Sequence, residues 1–245
     1  MEDEIVDNEQ LVLITGESGN GKSASLMNIK DQADWFYLNC EAGKRLPFKN
    51  KFQSFKIVDP YQVHEAFDHA AGDPAVKGII VDTLTFMMEM FESQYVLGQA
   101  DTMKGWSNYQ QFFKELMQQK VTAFARPTVI LAHELKTYDE NTASYRTSVP
   151  IKGALKNNGI EAYFSTVVSA TKMKVKDLEK SFQNDLLEIT EEERAVGFKH
   201  VFQTRITKET TGSRIRSPLG MWKMNETYID NDVSKLFDRL NSYYN

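Results

Sequence analysis

The sequence has a single cysteine, Cys40, among its 245 residues, so no disulfide can form within the chain. This scarcity is typical of proteins from a reducing compartment, and we expect a cytoplasmic location. No apolar run approaches the roughly 18 residues that a membrane-spanning helix needs, so no membrane association is expected. Residues 2–4 are acidic, whereas a secretion or transit signal would begin with basic residues.

The sequence also lacks internal repeats, low-complexity tracts and any stretch that reads as an interdomain linker. A chain of this length is the usual size of one α/β domain with a well-buried core. We therefore expect a single domain over residues 10–245, preceded by an acidic, flexible lead-in at residues 1–9.

The charged residues are unevenly distributed along a chain whose net charge is −5. Residues 1–10 carry five acids, and residues 177–193 carry seven acids against Lys180. Residues 199–223 carry six lysines and arginines against Glu209. The total charge argues weakly against a nucleic-acid partner, but a segregated basic face argues for one.

The strongest motif is a complete G-x-x-x-x-G-K-S pattern that follows the apolar run at residues 11–14. Its glycines let backbone N–H groups turn toward phosphate oxygens, and a helix expected to run on to about Lys30 adds positive potential. Lys22 would neutralise the β- and γ-phosphates, and the Ser23 hydroxyl would bind Mg²⁺. A chance match in a glycine-rich turn is the alternative. The predicted nucleotide-binding residues are Gly16, Glu17, Ser18, Gly19, Asn20, Gly21, Lys22, Ser23 and Ala24.

Three further polar residues follow apolar strands, where phosphate-loop proteins place their chemistry. Asp82 is the expected acid that holds Mg²⁺ through water, with a helix-capping aspartate as the alternative. Glu41 could polarise a water molecule, or it could be a solvated loop residue. His133 could contact the γ-phosphate, or it could be a structural or exposed histidine.

Strands alternate with helices along most of the chain, which predicts an α/β fold with a mostly parallel central sheet flanked by helices. Antiparallel strands are expected toward the C-terminal end. The clearest helix is at residues 106–124, where apolar side chains repeat every three to four positions. Residues 136–156 are polar and aperiodic, and are expected to form a functional loop. Other helices are expected at residues 61–71, 174–196 and 228–244, and a strand at residues 201–207.

The phosphate loop, Glu41, Asp82 and His133, in this order, resemble the RecA-like core ATPases over about residues 10–220. The resemblance implies that Glu41 is the catalytic glutamate and that Asp82 is the magnesium-linked acid. It also implies that His133 occupies the γ-phosphate sensor position, where RecA itself has glutamine.

The resemblance further implies contacts outside the nucleotide site. In RecA the loop after the sensor contacts single-stranded DNA, and residues 136–156 hold that place here. Tyr138 and Tyr145 in this loop are candidates for base stacking, with solvent-exposed loop tyrosines as the alternative. RecA-like assemblies also insert basic residues from a late strand into the neighbouring subunit's ATP site. Arg205 and Lys208 match those residues, with Arg214 and Arg216 as alternatives. The predicted DNA-binding residues are Lys136, Arg146, Lys152 and Lys156.

The chain is little longer than the core, as in the RecA-related single-strand annealing and recombination ATPases of bacteriophages. That similarity implies ATP and Mg²⁺ as cofactors, single-stranded DNA as a partner, and a homo-oligomer that forms a filament or ring in the cytoplasm of a host. It also implies contacts with other replication or recombination proteins. The implied catalytic residues are Lys22, Glu41, His133, Arg205 and Lys208, and the implied metal ligands are Ser23 and Asp82.

Several other functions use the same motor core. A hexameric DnaB-type helicase core differs mainly in how its subunits associate. A nucleotide kinase would need an arginine-rich lid, which the basic residues near 205–216 could imitate. A nucleotide-dependent scaffold with slow or no hydrolysis also fits. A P-loop GTPase is disfavoured because the chain has no [NT]-K-x-D motif to read the base.

Overall fold

The centre of the fold is a sheet whose inner strands are apolar on both faces. The computed structural model describes residues 8–140 and 144–245. The expected lead-in therefore lies mostly outside the described residues, as do residues 141–143 of the expected loop. The strands of the large sheet are β1 (Leu11–Gly16), β2 (Trp35–Asn39), β3 (Gln53–Lys56), β4 (Gly78–Asp82) and β5 (Thr128–His133), followed later in the chain by β8 (Thr166–Lys174), β9 (Phe198–Gln203) and β10 (Tyr228–Asp230). A separate two-stranded sheet contains β6 (Leu135–Asp139) and β7 (Ser144–Ser148).

The strand order across the large sheet is β10-β9-β8-β1-β5-β4-β2-β3. All neighbours from β8 to β3 pair in parallel, whereas β9 and β10 pair antiparallel. The expected α/β class, with its mostly parallel sheet and its antiparallel C-terminal strands, is confirmed. Because the parallel strands share one direction, the carboxyl ends of β1, β2, β4 and β5 meet at one edge.

Helices cover both faces of this sheet. Their bounds are α1 (Tyr61–Gly72), α2 (Leu84–Tyr95), α3 (Thr102–Glu115), α4 (Thr122–Phe124), α5 (Leu155–Asn158), α6 (Val175–Ser181), α7 (Glu191–Val196) and α8 (Val233–Tyr244). A π-helical segment, Leu116–Val121, joins α3 to α4, so the helix predicted at residues 106–124 is present and begins earlier. Short 3₁₀ turns lie at Ser23–Leu26, Gln32–Asp34, Ile160–Tyr163, Lys208–Thr210 and Met224–Thr227.

Two apolar layers hold the helices to the sheet, because successive residues of a strand face opposite sides. Leu13 and Ile130 belong to the layer that contains the buried side chains of α1, α2 and α3. Val12 and Leu131 belong to the opposite layer, which contains the buried side chains of α8. Among the described residues, no helix is long and apolar enough to cross a membrane.

The helix expected from the phosphate loop to Lys30 is wrong: only Ser23–Leu26 forms a helical turn, of 3₁₀ type. After Leu26 the backbone carbonyl oxygens accept hydrogen bonds from side chains instead of from a following helical turn. That of Met27 accepts from the Gln32 amide at 2.9 Å, and that of Asn28 accepts from the Ser234 hydroxyl on α8 at 2.7 Å. Contacts with a distant part of the chain thus take the place of the helix.

Four other expectations are corrected. Residues 136–156 are not an aperiodic loop, because β6 and β7 pair as an antiparallel hairpin in their first part. The helix expected at 174–196 is interrupted between α6 and α7, where the Asn184 amide donates hydrogen bonds to the carbonyl oxygens of Phe182, Asn225 and Tyr228. The strand expected at 201–207 runs over Phe198–Gln203, and the helix expected at 228–244 is β10 followed by α8.

The buried face of α8 should contribute strongly to stability. Leu236 on this helix is fully buried, whereas Leu219 is 96% exposed. We expect Leu236→Ala to lower the free energy of unfolding by about 2–5 kcal/mol, because it leaves a cavity in the apolar layer between α8 and the sheet. Leu219→Ala makes the same chemical change on the surface and should alter it by less than about 0.5 kcal/mol. Urea denaturation of both variants measures this, and equal losses would show that α8 does not anchor the sheet.

Candidate nucleotide-binding site

The predicted phosphate loop connects the end of β1 to the 3₁₀ turn at Ser23. Gly21 has φ +91°, and a Cβ atom there would lie 2.7 Å from the Asn231 side-chain nitrogen. A Cβ atom on Gly16 would lie 2.6 Å from the carbonyl oxygen of Ala170. Glycine is therefore required at both positions. At Gly21 the reasons are the backbone conformation and the close approach together, and at Gly16 the reason is the close approach alone.

Lys22 lies almost completely buried at the base of this loop, with 6% of its surface exposed. Its ammonium group donates hydrogen bonds to the carbonyl oxygens of Gly16, at 2.8 Å, and Glu17, at 3.1 Å. Burial lowers the pKa of Lys22, while nearby carboxylates, Asp82 foremost, act in the opposite direction. The cation is thus held at the centre of the loop by backbone dipoles and surrounding acids.

Asp82 ends β4 directly beside the loop. Its Oδ2 atom accepts hydrogen bonds from the Ser23 hydroxyl, at 2.9 Å, and from the Tyr37 hydroxyl, at 2.8 Å. Its Oδ1 atom is buried and has no hydrogen-bond partner among the described residues. Burial raises the pKa of Asp82, and the negative charge of Glu41 raises it further.

The residues around Asp82 fit a magnesium ion. A serine hydroxyl and a carboxylate are the hard oxygen donors that Mg²⁺ prefers, usually together with water and phosphate oxygens. The unpartnered Oδ1 atom of Asp82 is a buried acceptor that a metal-bound water can satisfy. Ser23 and Asp82 are therefore the residues that would hold the ion, as the sequence predicts.

Glu41 and His133 meet above the loop. The His133 Nε2 atom lies 3.4 Å from Glu41 Oε1, and its Nδ1 atom lies 3.3 Å from the Lys22 ammonium. The geometry suits a neutral ring that accepts from Lys22 and donates to Glu41. The hydrogen bond from His133, with a further one from Lys44 at 2.9 Å, lowers the pKa of Glu41 to about 2 against the effect of burial. Glu41 is thus a carboxylate at neutral pH.

Hydrogen bonds fix both the ring and the backbone of His133. Its N–H group donates to the Thr85 hydroxyl at 2.9 Å, and the edge of the ring contacts Phe86. The next residue, Glu134, lies on the other side of the strand end and accepts hydrogen bonds from the hydroxyls of Thr15 and Ser169. Burial raises the pKa of Glu134. Glu134 therefore lies behind the cleft, where its charge still acts on Lys22, and the sequence pattern did not assign it a role.

Two other side chains near the loop come from distant parts of the chain. Asn231 donates a hydrogen bond to the carbonyl oxygen of Gly21 at 2.8 Å, and its own side-chain oxygen is buried without a partner among the described residues. His200, on β9, lies 3.3 Å from the carbonyl oxygen of Gly19. Neither residue belongs to a local motif, so sequence reasoning missed both.

A cleft of about 370 Å³ opens over the phosphate loop, and its size suits a small-molecule ligand. The predicted residues Lys22, Ser23, Asp82, Glu41 and His133 all line it. The residues that line it without having been predicted are Tyr37, Lys44, Arg45, Leu46, Pro47, His200 and Asn231.

The basic residues expected from a late strand lie elsewhere, and none of them lines this cleft. Arg205 donates a hydrogen bond to the Trp222 carbonyl oxygen, and Lys208 begins a 3₁₀ turn. Arg214 is held at 2.8 Å by Glu161, whose side chain is buried. Arg216 points to backbone carbonyl oxygens of residues 161 and 162.

The expected DNA-binding residues lie on or after the β6–β7 hairpin. The Lys136 ammonium stacks 4.5 Å from the centre of the Tyr145 ring, and Arg146 pairs with Asp139 at 2.7 Å. Lys152 pairs with Glu92 at 2.8 Å. Lys156, on α5, is exposed.

Comparison with known proteins identifies one family. The sequence model described as an AAA domain matches residues 8–212, which include the phosphate loop and all three polar strand ends. No curated protein matches the chain. Asn231 and α8 lie beyond the matched residues. Asn231 nevertheless bonds to the phosphate loop, and α8 contacts the turn that follows the loop.

Asn231 should matter for nucleotide affinity. Asn231→Ala removes a hydrogen bond to the loop, so we expect roughly threefold to tenfold weaker binding of a non-hydrolysable ATP analogue, the effect of one such bond. Asn225 also donates from its side-chain nitrogen to a backbone carbonyl at 2.8 Å, but far from the loop, so Asn225→Ala is the matched control. Calorimetric titration of both variants measures the difference, and equal affinities would remove Asn231 from the site.

Proposed function

The chain belongs to the AAA domain family of P-loop ATPases, and on that premise we propose that it hydrolyses ATP as a homo-oligomer bound to single-stranded DNA. The observation that carries the ATPase part is the contact of Lys22, His133 and Glu41 in one cleft. A lysine, a polar sensor and an ionised carboxylate are the groups that phosphoryl transfer to water requires.

Each side chain has a defined part in the proposed reaction. Lys22 and the loop N–H groups hold the phosphates, and Ser23 and Asp82 orient the metal, which neutralises charge on the phosphate oxygens. Glu41 is the ionised carboxylate of the cleft, and it orients the attacking water and accepts its proton. His133 sits between Glu41 and Lys22, so it can hydrogen-bond an oxygen of the transferred phosphoryl group.

The DNA-binding part of the proposal rests on the β6–β7 hairpin. The hairpin begins two residues after His133, so it emerges directly from the edge that holds the nucleotide cleft. Tyr138 and Tyr145 are each 55% exposed and pack edge to face, with ring centres 5.2 Å apart. Exposed aromatic faces beside lysine and arginine are the usual elements for sequence-independent binding of single strands.

The oligomeric part rests on two exposed basic residues that lie outside the cleft of their own chain. Among the described residues, Lys22, Lys44 and Arg45 are the lysines and arginines that line the cleft, and Lys44 is paired with Glu41. Arg205 and Lys208 are exposed and lie outside the cleft of their own chain. We propose that one of them completes the cleft of a neighbouring subunit. Arg214 suits this part less well, because a buried carboxylate already holds it.

A hexameric helicase core would contain the same site, and no described residue favours a ring over a filament. Annealing or recombination is our first proposal, because the phosphate loop and the three polar strand ends follow the order of the RecA-like ATPases. Electron microscopy with ATP and DNA, together with an unwinding assay, separates the two functions.

Glu41 and Arg205 should complement each other between subunits. Glu41→Gln should retain ATP binding but lose about 10²–10⁴-fold in turnover, the usual effect of removing a general base. Arg205→Ala alone should also be impaired. Mixing the two inactive variants should restore part of the turnover, because Arg205 from a Glu41→Gln subunit enters the intact site of an Arg205→Ala neighbour. Steady-state phosphate release measures this; full turnover of Arg205→Ala alone would exclude that arginine.

The hairpin tyrosines should matter for DNA affinity. We expect Tyr138→Ala/Tyr145→Ala to bind an oligo-dT strand at least tenfold more weakly, because stacking contributes about 1–3 kcal/mol per base. Tyr243 and Tyr244 form a similar exposed pair, 5.1 Å apart, so Tyr243→Ala/Tyr244→Ala is the control. Fluorescence anisotropy measures both, and no difference between them would contradict a stacking role.

A further inference from the structure

A second cleft, of about 740 Å³, adjoins the nucleotide cleft on the side of β2 and β3. Residues 42–58, which form most of it, contain five lysines and arginines and no acid, in a chain whose net charge is −5. Four of these cations line the cleft, and no aspartate or glutamate does. The cations in the lining are Lys44, Arg45, Lys49 and Lys56. We call this the basic cleft.

Most of these charges are not neutralised within the chain. Lys44 pairs with Glu41, but Arg45, Lys49 and Lys56 make no ion pair with any described residue. Surface cations in proteins of this charge normally lie among acids. A concave surface that gathers unpaired cations attracts anions.

The loop that carries these residues is held in shape by hydrogen bonds. The Asn39 side chain accepts from the N–H of Glu41 and donates to the carbonyl oxygen of Lys44. The N–H of Lys51 donates to the Gln32 side chain. The stem of Lys56 would lie only 3.6 Å from a Cβ atom on Gly43, so β3 and the loop are in close contact. These hydrogen bonds therefore hold the loop, and the lysines and arginines on it, along one side of the cleft.

The basic cleft also offers polar and aromatic groups. Asn50 and Ser54 line it, and they can hydrogen-bond phosphate or sugar oxygens. Phe55 lines it with 42% of its surface exposed, while one edge packs on Phe36. Unpaired cations, neutral donors and an exposed aromatic face together match a flexible polyanion with planar groups.

We propose that the basic cleft binds the phosphodiester backbone of single-stranded nucleic acid beside the nucleotide site; this rests on the proposed function. The two clefts share Tyr37, Lys44, Arg45, Leu46 and Pro47. Lys44 faces both, because its ammonium pairs with Glu41 while 70% of its side chain is exposed. The Lys44 end of this ion pair is open to solvent, so a strand phosphate can compete with Glu41 for its ammonium group. Binding of the strand then removes a hydrogen-bond donor from Glu41, the carboxylate that activates water.

The test uses two double variants that remove the same charge. Lys49→Gln/Lys56→Gln changes the basic cleft, and Lys104→Gln/Lys176→Gln changes exposed lysines of α3 and α6 that form no ion pair with a described residue. Binding of labelled oligo-dT is measured by anisotropy at several salt concentrations with a non-hydrolysable ATP analogue. Affinity for that analogue alone, and stimulation of ATP turnover by oligo-dT, are measured in parallel.

The cleft variant should bind oligo-dT about 25-fold more weakly at 0.1 M salt, with a salt slope smaller by about 1.4, because each single-strand phosphate contact contributes about 0.7 to the slope. It should also lose most of the stimulation by DNA, while the control variant behaves like the unmodified protein. Equal DNA binding by the two variants would overturn this inference and leave the proposed function intact. Loss of affinity for the ATP analogue in the cleft variant would instead assign the cleft to the nucleotide. An unmodified protein that does not bind oligo-dT would overturn the proposed function and this inference together.

Discussion

The structure depends on keeping one cation buried at the edge of the sheet. An ammonium group with so little exposure loses most of its hydration, which is costly unless dipoles and opposite charges replace water. The carbonyl oxygens of Gly16 and Glu17 supply the dipoles for Lys22, and Asp82 and Glu41 supply the charge. These groups come from the ends of three different strands, so the parallel order of the sheet is what allows the cation to exist there. The same grouping buries Asp82 and places the Glu41 carboxylate near it, and burial first, then the charge of Glu41, raises the pKa of Asp82.

Much of this site could be predicted from the sequence because its signals are local. An apolar run followed by a polar residue marks each strand end, and parallel strands bring such ends to one edge. Glu41, Asp82 and His133 could be found in this way. The contacts of Asn231 could not, because its partner Gly21 lies 210 residues away and asparagine has no pattern of its own in a turn. Glu134 was not predicted, because the preceding residue, His133, already accounted for the polar end of β5. The two side chains nevertheless point to opposite sides.

The fold shows the same division between local and distant causes. The helical period at 106–124 identified a real helix, because one face is buried along its whole length. The segment after the phosphate loop is helix-compatible in composition, yet two of its carbonyl oxygens accept from side chains, one of them on α8. The hairpin formed by β6 and β7 was missed because both of its strands are largely exposed, so neither shows the apolar alternation that marks a half-buried strand. Sequence reasoning thus failed where distant contacts or exposure, rather than periodicity, determine the structure.

The hydrogen bond between Asn231 and Gly21 has a consequence for biosynthesis. The phosphate loop leaves the ribosome about two hundred residues before Asn231 and α8. Domains fold as units during translation, so β1 stays without its partners β5 and β8 for most of that time. A nascent chain therefore exposes the loop before all the contacts that hold it have formed. The loop reaches its full affinity for a nucleotide only in chains whose synthesis has passed residue 231.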